Sequence, residues 1–115
     1  IERQSGEWAA LVAEGRPLVV AGDFNQARDP RSTRGYGTNA VRAQLTAALD
    51  AADLSSLTDL DLLDRGDISQ RPHIDHICVS DHFRQVGEVL AADRLDALGN
   101  RLSDHVTIAV DLALD

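Results

Sequence analysis

The sequence predicts an α/β domain, and three observations carry that expectation. Two stretches hold apolar residues at helical spacing: Trp8, Leu11 and Val12 in the first, Val41, Leu45, Ala48 and Leu49 in the second. Runs rich in β-formers lie between and after them, at 18–22, 73–79, 83–91 and 106–114. Three polar clusters, Asp23 with Asn25, Asp75 with His76 and Asp104 with His105, stand at the tips of those runs. Open α/β sheets hold their ligands at such strand ends.

Taken in order, residues 2–14 form the first helix, with Gly15 at its C-cap and Arg16-Pro17 breaking the chain into a strand. Leu18 to Ala21 have the character of a buried strand, and Gly22 lets the backbone turn without a Cβ clash. Asp23 and Asn25 then point the same way while Phe24 turns toward the core. The same residues also suit a plain Asx-turn. Residues 26–37 are loop, marked by Asp29-Pro30, Ser32-Thr33, Gly35 and Gly37. Thr38 or Asn39 caps a helix over about 40–52.

Residues 53–71 suit either a short strand or a solvated, mobile segment bearing Asp59, Asp61, Asp64 and Asp67. The spacing of an EF-hand, with its Gly and terminal Glu, is absent, so the acidic run reads as solvated loop and not as a calcium site. Strand 73–79 follows, then strand 83–91, a connector over 93–99 turning at Gly99-Asn100, and the final strand 106–114.

The 115 residues, 43% apolar, make one folded domain, with packing left to Leu, Val, Ile and Ala because aromatics are few. A net charge of −8 argues against a broad basic surface for gripping nucleic acid. It leaves a phosphate substrate open, because carboxylates that hold a cation are neutralised by it. All 11 basic residues are Arg, which reads as codon usage more than as phosphate recognition. Cys78 stands alone, so no intrachain disulfide forms. It lies in an apolar run, where a free thiol acts as a small hydrophobe. No apolar run has the length of a membrane span, and no signal peptide is visible. A first residue of Ile1 suggests a piece of a longer chain, a processed product or a trimmed one.

Singly, each polar cluster has an ordinary explanation as a cap or turn. Together they hold what metal-assisted attack on phosphorus needs: a carboxylate for a cation, a base for water and donors for developing charge. Gly22-Asp23-Phe24-Asn25, Ile74-Asp75-His76-Ile77 and Ser103-Asp104-His105 resemble, in order and spacing, the last three motifs of the endonuclease/exonuclease/phosphatase superfamily. Pancreatic deoxyribonuclease, apurinic endonucleases, inositol polyphosphate phosphatases and bacterial sphingomyelinases share that fold. The resemblance runs from about residue 16 to the C-terminus.

The resemblance implies a metal-dependent phosphoesterase acting on nucleic acid or a small phosphorylated molecule, with roles residue by residue. His105 would take the proton of the attacking water, and Asp75 would accept from its other ring nitrogen. Asp104 would ligate Mg²⁺ or Mn²⁺, directly or through water. Asn25 would bond a phosphate oxygen, and Asp23 would orient the water or assist the leaving group. His76, on the opposite face of its strand, reads as structural, whereas His73 shares the face of Asp75 and borders the pocket. The loop with Arg28, Arg31, Arg34, Tyr36 and Thr38 either contacts substrate, with Arg34 and Tyr36 foremost, or is an ordinary polar loop.

In the family the N-terminal half supplies an Asn, a metal-binding Glu after Gln and a Tyr or His, and this sequence has no Gln-Glu pair. The chain therefore reads as the C-terminal half of an α+β fold: half of a two-sheet β-sandwich flanked by helices, its sheet mostly antiparallel or mixed. The inner face would be apolar and uncovered, leading to self-association or to pairing with the N-terminal half, and the 115 residues alone would be nearly inactive. Two other readings stand beside this one. The first is a non-catalytic interaction module that keeps the fold. The second is an unrelated α/β binding domain.

Overall fold

The computed structural model describes residues 2–28 and 37–115. Helix α1 spans Glu2–Ala13, strand β1 Val19–Asp23, helix α2 Asn39–Ala51 and the two-residue strand β2 Ser55–Ser56. Strands β3, β4 and β5 follow at Asp75–Val79, Phe83–Ala92 and Thr107–Leu114. Every strand pair is antiparallel, and the strands form two sheets, ordered β1-β3-β2 and β4-β5. The class is thus α+β, with antiparallel sheets throughout the described residues.

Local chemistry explains the boundaries. At the end of α1, Gly15 takes φ 76°, and its N–H and that of Arg16 bond back to Val12 O and Leu11 O. That closes the helix in a Schellman motif. At the start of α2 the Thr38 hydroxyl accepts from Val41 N–H at 3.1 Å, satisfying a donor the helix leaves free. Leu45, Ala48 and Leu49 form the buried stripe of α2, but Val41, expected there, is 43% exposed. It lies in the first turn, before the helix reaches the core.

The principal core joins Leu45, Leu49, Ala52, Leu54 and Cys78, with Trp8, Ala9, Val12, Leu18, Val20 and Phe24 packed against it. Val20 and Cys78 pair across β1 and β3, and this face of the sheet meets both helices. The buried Cys78 thiol is pushed up to about 11 by desolvation, so it stays protonated and inert. Contrary to the buried strand expected at 18–22, most of β1 is exposed, because its other face, with Val19 at 42% exposure, meets no second layer among the described residues.

Of the two readings of residues 53–71, a short strand forms, β2 at Ser55–Ser56, whereas residues 57–71 are not a solvated segment. Thr58, Leu62 and Ile68 are buried. Leu62 and Ile68 join Val106 in a second core, against Leu60 and Leu63 of the same segment, Ala91 of β4 and Ile108 of β5. The half-buried carboxylates are held by arginines: Asp59 pairs with Arg28, and Asp67 with Arg65 at 2.8 Å. The leucines are presented by successive turns, so no helical or strand period shows in the sequence. The β4-β5 ladder shifts register between Val86 and Leu90, where Gly87 takes φ 78°. Only glycine adopts that conformation cheaply, and the strand bulges there.

Gly37 yields a stability prediction. Its φ is 90°, and a Cβ there would lie 2.1 Å from Gln26 Oε1, whose side chain is almost wholly buried. Gly37→Ala is expected to cost about 1–3 kcal/mol. The check is urea unfolding: the midpoint should fall while the slope stays unchanged.

Candidate active site

The β1-β3 register sets Asp23 directly opposite Asp75 at one end of the sheet. Like charges facing each other across a ladder repel. His105, arriving on the loop that leads into β5, lies between them. Its Nδ1 is 2.7 Å from Asp75 Oδ2, a hydrogen bond, and its Nε2 is 3.8 Å from Asp23 Oδ2, beyond direct bonding. A carboxylate only accepts, so Nδ1 carries the proton and donates to Asp75. In the neutral ring Nε2 then offers a lone pair toward Asp23. The hydrogen bond to Asp75 first, and then its charge, raise the pKa of the imidazole above its ordinary value.

The turn after β1 aims the remaining groups. Asp23 Oδ1 accepts from the backbone N–H of Asn25 at 2.8 Å, and Asn25 takes φ 53°, in the left-handed region that Asn tolerates. The Asx-turn and the functional cluster are therefore the same residues. Phe24 N–H continues the ladder to Ile74 O, and its half-buried ring packs on the core and on the His76 ring.

An open cleft of about 340 Å³ is lined by Asp23, Asn25, Arg71, Ile74, Arg94, Asp104 and His105. Asp75 stands behind the imidazole. The Asp104 carboxylate is exposed at the rim and paired with Arg101. Asp23, Asp75 and His105 each bring one atom able to ligate a metal within 4.8 Å of the others. Arg34 and Tyr36, and Arg31 beside them, lie outside the described residues.

Two neighbours of the cluster take other places than expected. Arg28 is engaged within the fold: its guanidinium forms a two-pronged bond to the Asp59 carboxylate at 2.9 and 3.0 Å, with a third bond to Thr46 Oγ1. His73 does not border the cleft. It precedes β3 and is buried, with Nε2 2.7 Å from Thr58 O and its ring 5.1 Å from that of His76. His76 faces away from Asp75, as its place in the strand implies. Its Nδ1 is 2.8 Å from Thr58 Oγ1, which itself accepts from Ile77 N–H. The hydroxyl therefore donates to Nδ1, and Nε2–H donates to Gln26 O at 2.8 Å. That last bond anchors the chain just after Asn25.

Arg71 and Arg94 are the cleft residues that sequence reasoning missed. Arg71 is exposed and reaches Asp104 O at 3.2 Å. Arg94 is buried beneath it. No pattern could have singled them out, because an arginine beside Asp93 at a strand end reads as surface charge.

No curated protein and no solved structure matches the chain significantly. Residues 2–105 match the Endonuclease/Exonuclease/phosphatase family, so all three motifs lie within the match. Hydrolases of phosphate esters make up that family, and this chain belongs to it.

Proposed function

We propose that the protein hydrolyses a phosphate ester with a water that His105 deprotonates. The observation that carries this reading is the imidazole held between two carboxylates, bonded to Asp75 through Nδ1 and leaving Nε2 toward the cleft. Nε2 takes the water's proton, and Asp75 stabilises the imidazolium that forms. Asp23, across the gap, orients the water or assists the leaving group. The Asn25 amide and the Arg71 guanidinium donate to phosphate oxygens as charge develops on them.

The donor set fits a hard divalent cation, because the carboxylates of Asp23 and Asp104 line the cleft and the one imidazole is already engaged by Asp75. Asp104 would hold Mg²⁺ or Mn²⁺, with Asp23 beside it, and the ion would neutralise phosphate charge. The competing Asp104–Arg101 pair is exposed on both sides, so exchanging it for a cation costs little.

These residues form part of a larger catalytic domain, its C-terminal half. The 115 residues alone should therefore be nearly inactive. Val19, Val86, Leu90 and Leu114 are 42–64% exposed on the two sheets, an apolar surface that suits the other half of the domain or a second copy. No helix among the described residues is long and apolar enough to cross a membrane.

The test is a substrate panel on the full-length protein, spanning nucleic acids, inositol phosphates, sphingomyelin and bis-p-nitrophenyl phosphate. Hydrolysis of at least one class is expected, abolished by EDTA and restored by Mg²⁺ or Mn²⁺. Hydrolysis of none of them would leave the second reading, an interaction module on the same fold.

A further inference from the structure

The His105–Asp75 pair joins segments 30 residues apart in the sequence, on chains that lead into different sheets. Something must fix their separation, and the strand ladders do not, because β3 and β5 share no sheet. Two arginines span the gap: the exposed Arg71, with one bond to Asp104 O at 3.2 Å, and the buried Arg94, which makes several. The Arg94 guanidinium donates from Nε to Asp104 O at 3.2 Å, from Nη1 to Ser69 O and Arg71 O at 3.1 and 3.3 Å, and from Nη2 to Pro72 O at 3.4 Å. Asp104 precedes His105 by one residue, and Pro72 precedes Asp75 by three. The guanidinium therefore grips both segments that carry the pair.

The backbone around Arg94 ties the same strands of chain together. Its carbonyl accepts from Leu102 N–H at 2.7 Å, and its N–H donates to Asp93 Oδ1 at 2.8 Å. The Asp93 carboxylate in turn accepts from the N–H and hydroxyl of Ser69. Burying a guanidinium at 4% exposure is costly unless its donors are used. Here every terminal nitrogen and Nε meets a carbonyl, with the directions set by a flat fork. Lysine cannot reproduce this, because a single ammonium at the end of a flexible stem cannot reach carbonyls spread across two loops.

We propose that Arg94 is a positioning residue that holds the Ser103–His105 loop against the approach to β3 and so keeps the imidazole of His105 in register with Asp75. The inference rests on the hydrolase reading only for its kinetic consequence. A misplacement of about 1 Å between reacting groups costs up to about 10²-fold in rate. The side chain lines the cleft but is 4% exposed, and Nε, Nη1 and Nη2 are all engaged by backbone carbonyls, so it acts through His105 and the loss should fall on kcat.

The experiment uses full-length protein carrying Arg94→Lys, Arg94→Ala or Arg94→Met, with Asp75→Asn as reference. With the substrate found by the panel, Arg94→Lys is expected to lower kcat by about 10–100-fold with KM unchanged, and guanidinium ion should restore part of the rate of Arg94→Ala. A raised KM at unchanged kcat would make Arg94 a substrate contact and overturn the proposal, as would kinetics equal to wild type. A second readout does not depend on hydrolysis: ring ¹⁵N shifts of His105, at a pH where the ring is neutral. Wild type should show one tautomer, protonated at Nδ1, and Arg94→Met a mixture like that of Asp75→Asn. If Arg94→Met does not fold, Arg94→Lys carries the same measurement. A wild-type ring spectrum in the folded variants overturns the proposal even where no substrate is found. Absence of wild-type hydrolysis alone counts against the hydrolase reading and leaves the spectral result to decide on Arg94.

Discussion

Replacing His105 with alanine is expected to lower the rate of phosphate-ester hydrolysis by about 10²–10⁴-fold, the usual contribution of a positioned general base. The side chain is 43% exposed, so its removal opens no core cavity and the thermal transition should hardly move. A large loss of rate without loss of stability separates catalysis from support of the fold. The pH profile adds a second check. The base works only when neutral, and Asp75 raises the His105 pKa, so the acid limb of the rate profile should lie above the ordinary 6.5 of an imidazole. Asp75→Asn removes the charge that favours imidazolium and should shift that limb to lower pH while also lowering the rate. An alanine variant that hydrolyses the substrate at wild-type rate would remove His105 from the chemistry.

Mild acid is expected to destabilise the protein, and His76 is the reason. Desolvation holds its pKa down to about 4, with His73 and Arg28 adding to the effect, while the bond to Gln26 O and the charge of Asp59 oppose it. The unfolded chain takes up this proton near pH 6.5, whereas the folded chain refuses it until about pH 4. Between those values the unfolded state binds more protons, so stability rises with pH. The contribution is fully present above about pH 6.5 and is lost as pH falls toward 4, a loss on the order of 3 kcal/mol in all. The hydrogen-bond chain gives the same sign, because a proton on Nδ1 would face the hydroxyl that Thr58 donates. Urea unfolding at pH 7 and pH 5 measures the drop, and His76→Gln should show a smaller one. An equal drop in wild type and variant would place the acid sensitivity elsewhere. The consequence reaches the cleft, since His76 holds Gln26 O and with it the chain next to Asn25.

Most elements and the family are legible in local patterns of residues. Amphipathic spacing marks α1 and α2, β-branched runs mark β1, β3, β4 and β5, and Gly15 marks the end of α1, because these are local signals of burial and backbone freedom. Three short motifs, each at a strand tip, were enough to point to one superfamily. The burial within 57–71 is not legible for a physical reason: Leu62 and Ile68 come from irregular turns, which leave no period among the acidic residues. The placing of Arg28 and His73 was hidden in the same way, since their partners Asp59 and Thr58 lie in that segment.

How the groups meet is a property of the folded chain. The register that sets Asp23 against Asp75, the 2.7 Å bond from His105, and the burial of Arg94 under both loops each depend on pairs far apart in the chain. Local propensity acts over a few residues and can place a side chain on a strand tip. Which tips share a cleft follows from packing two sheets and two helices together, a long-range outcome that no short stretch of this sequence encodes.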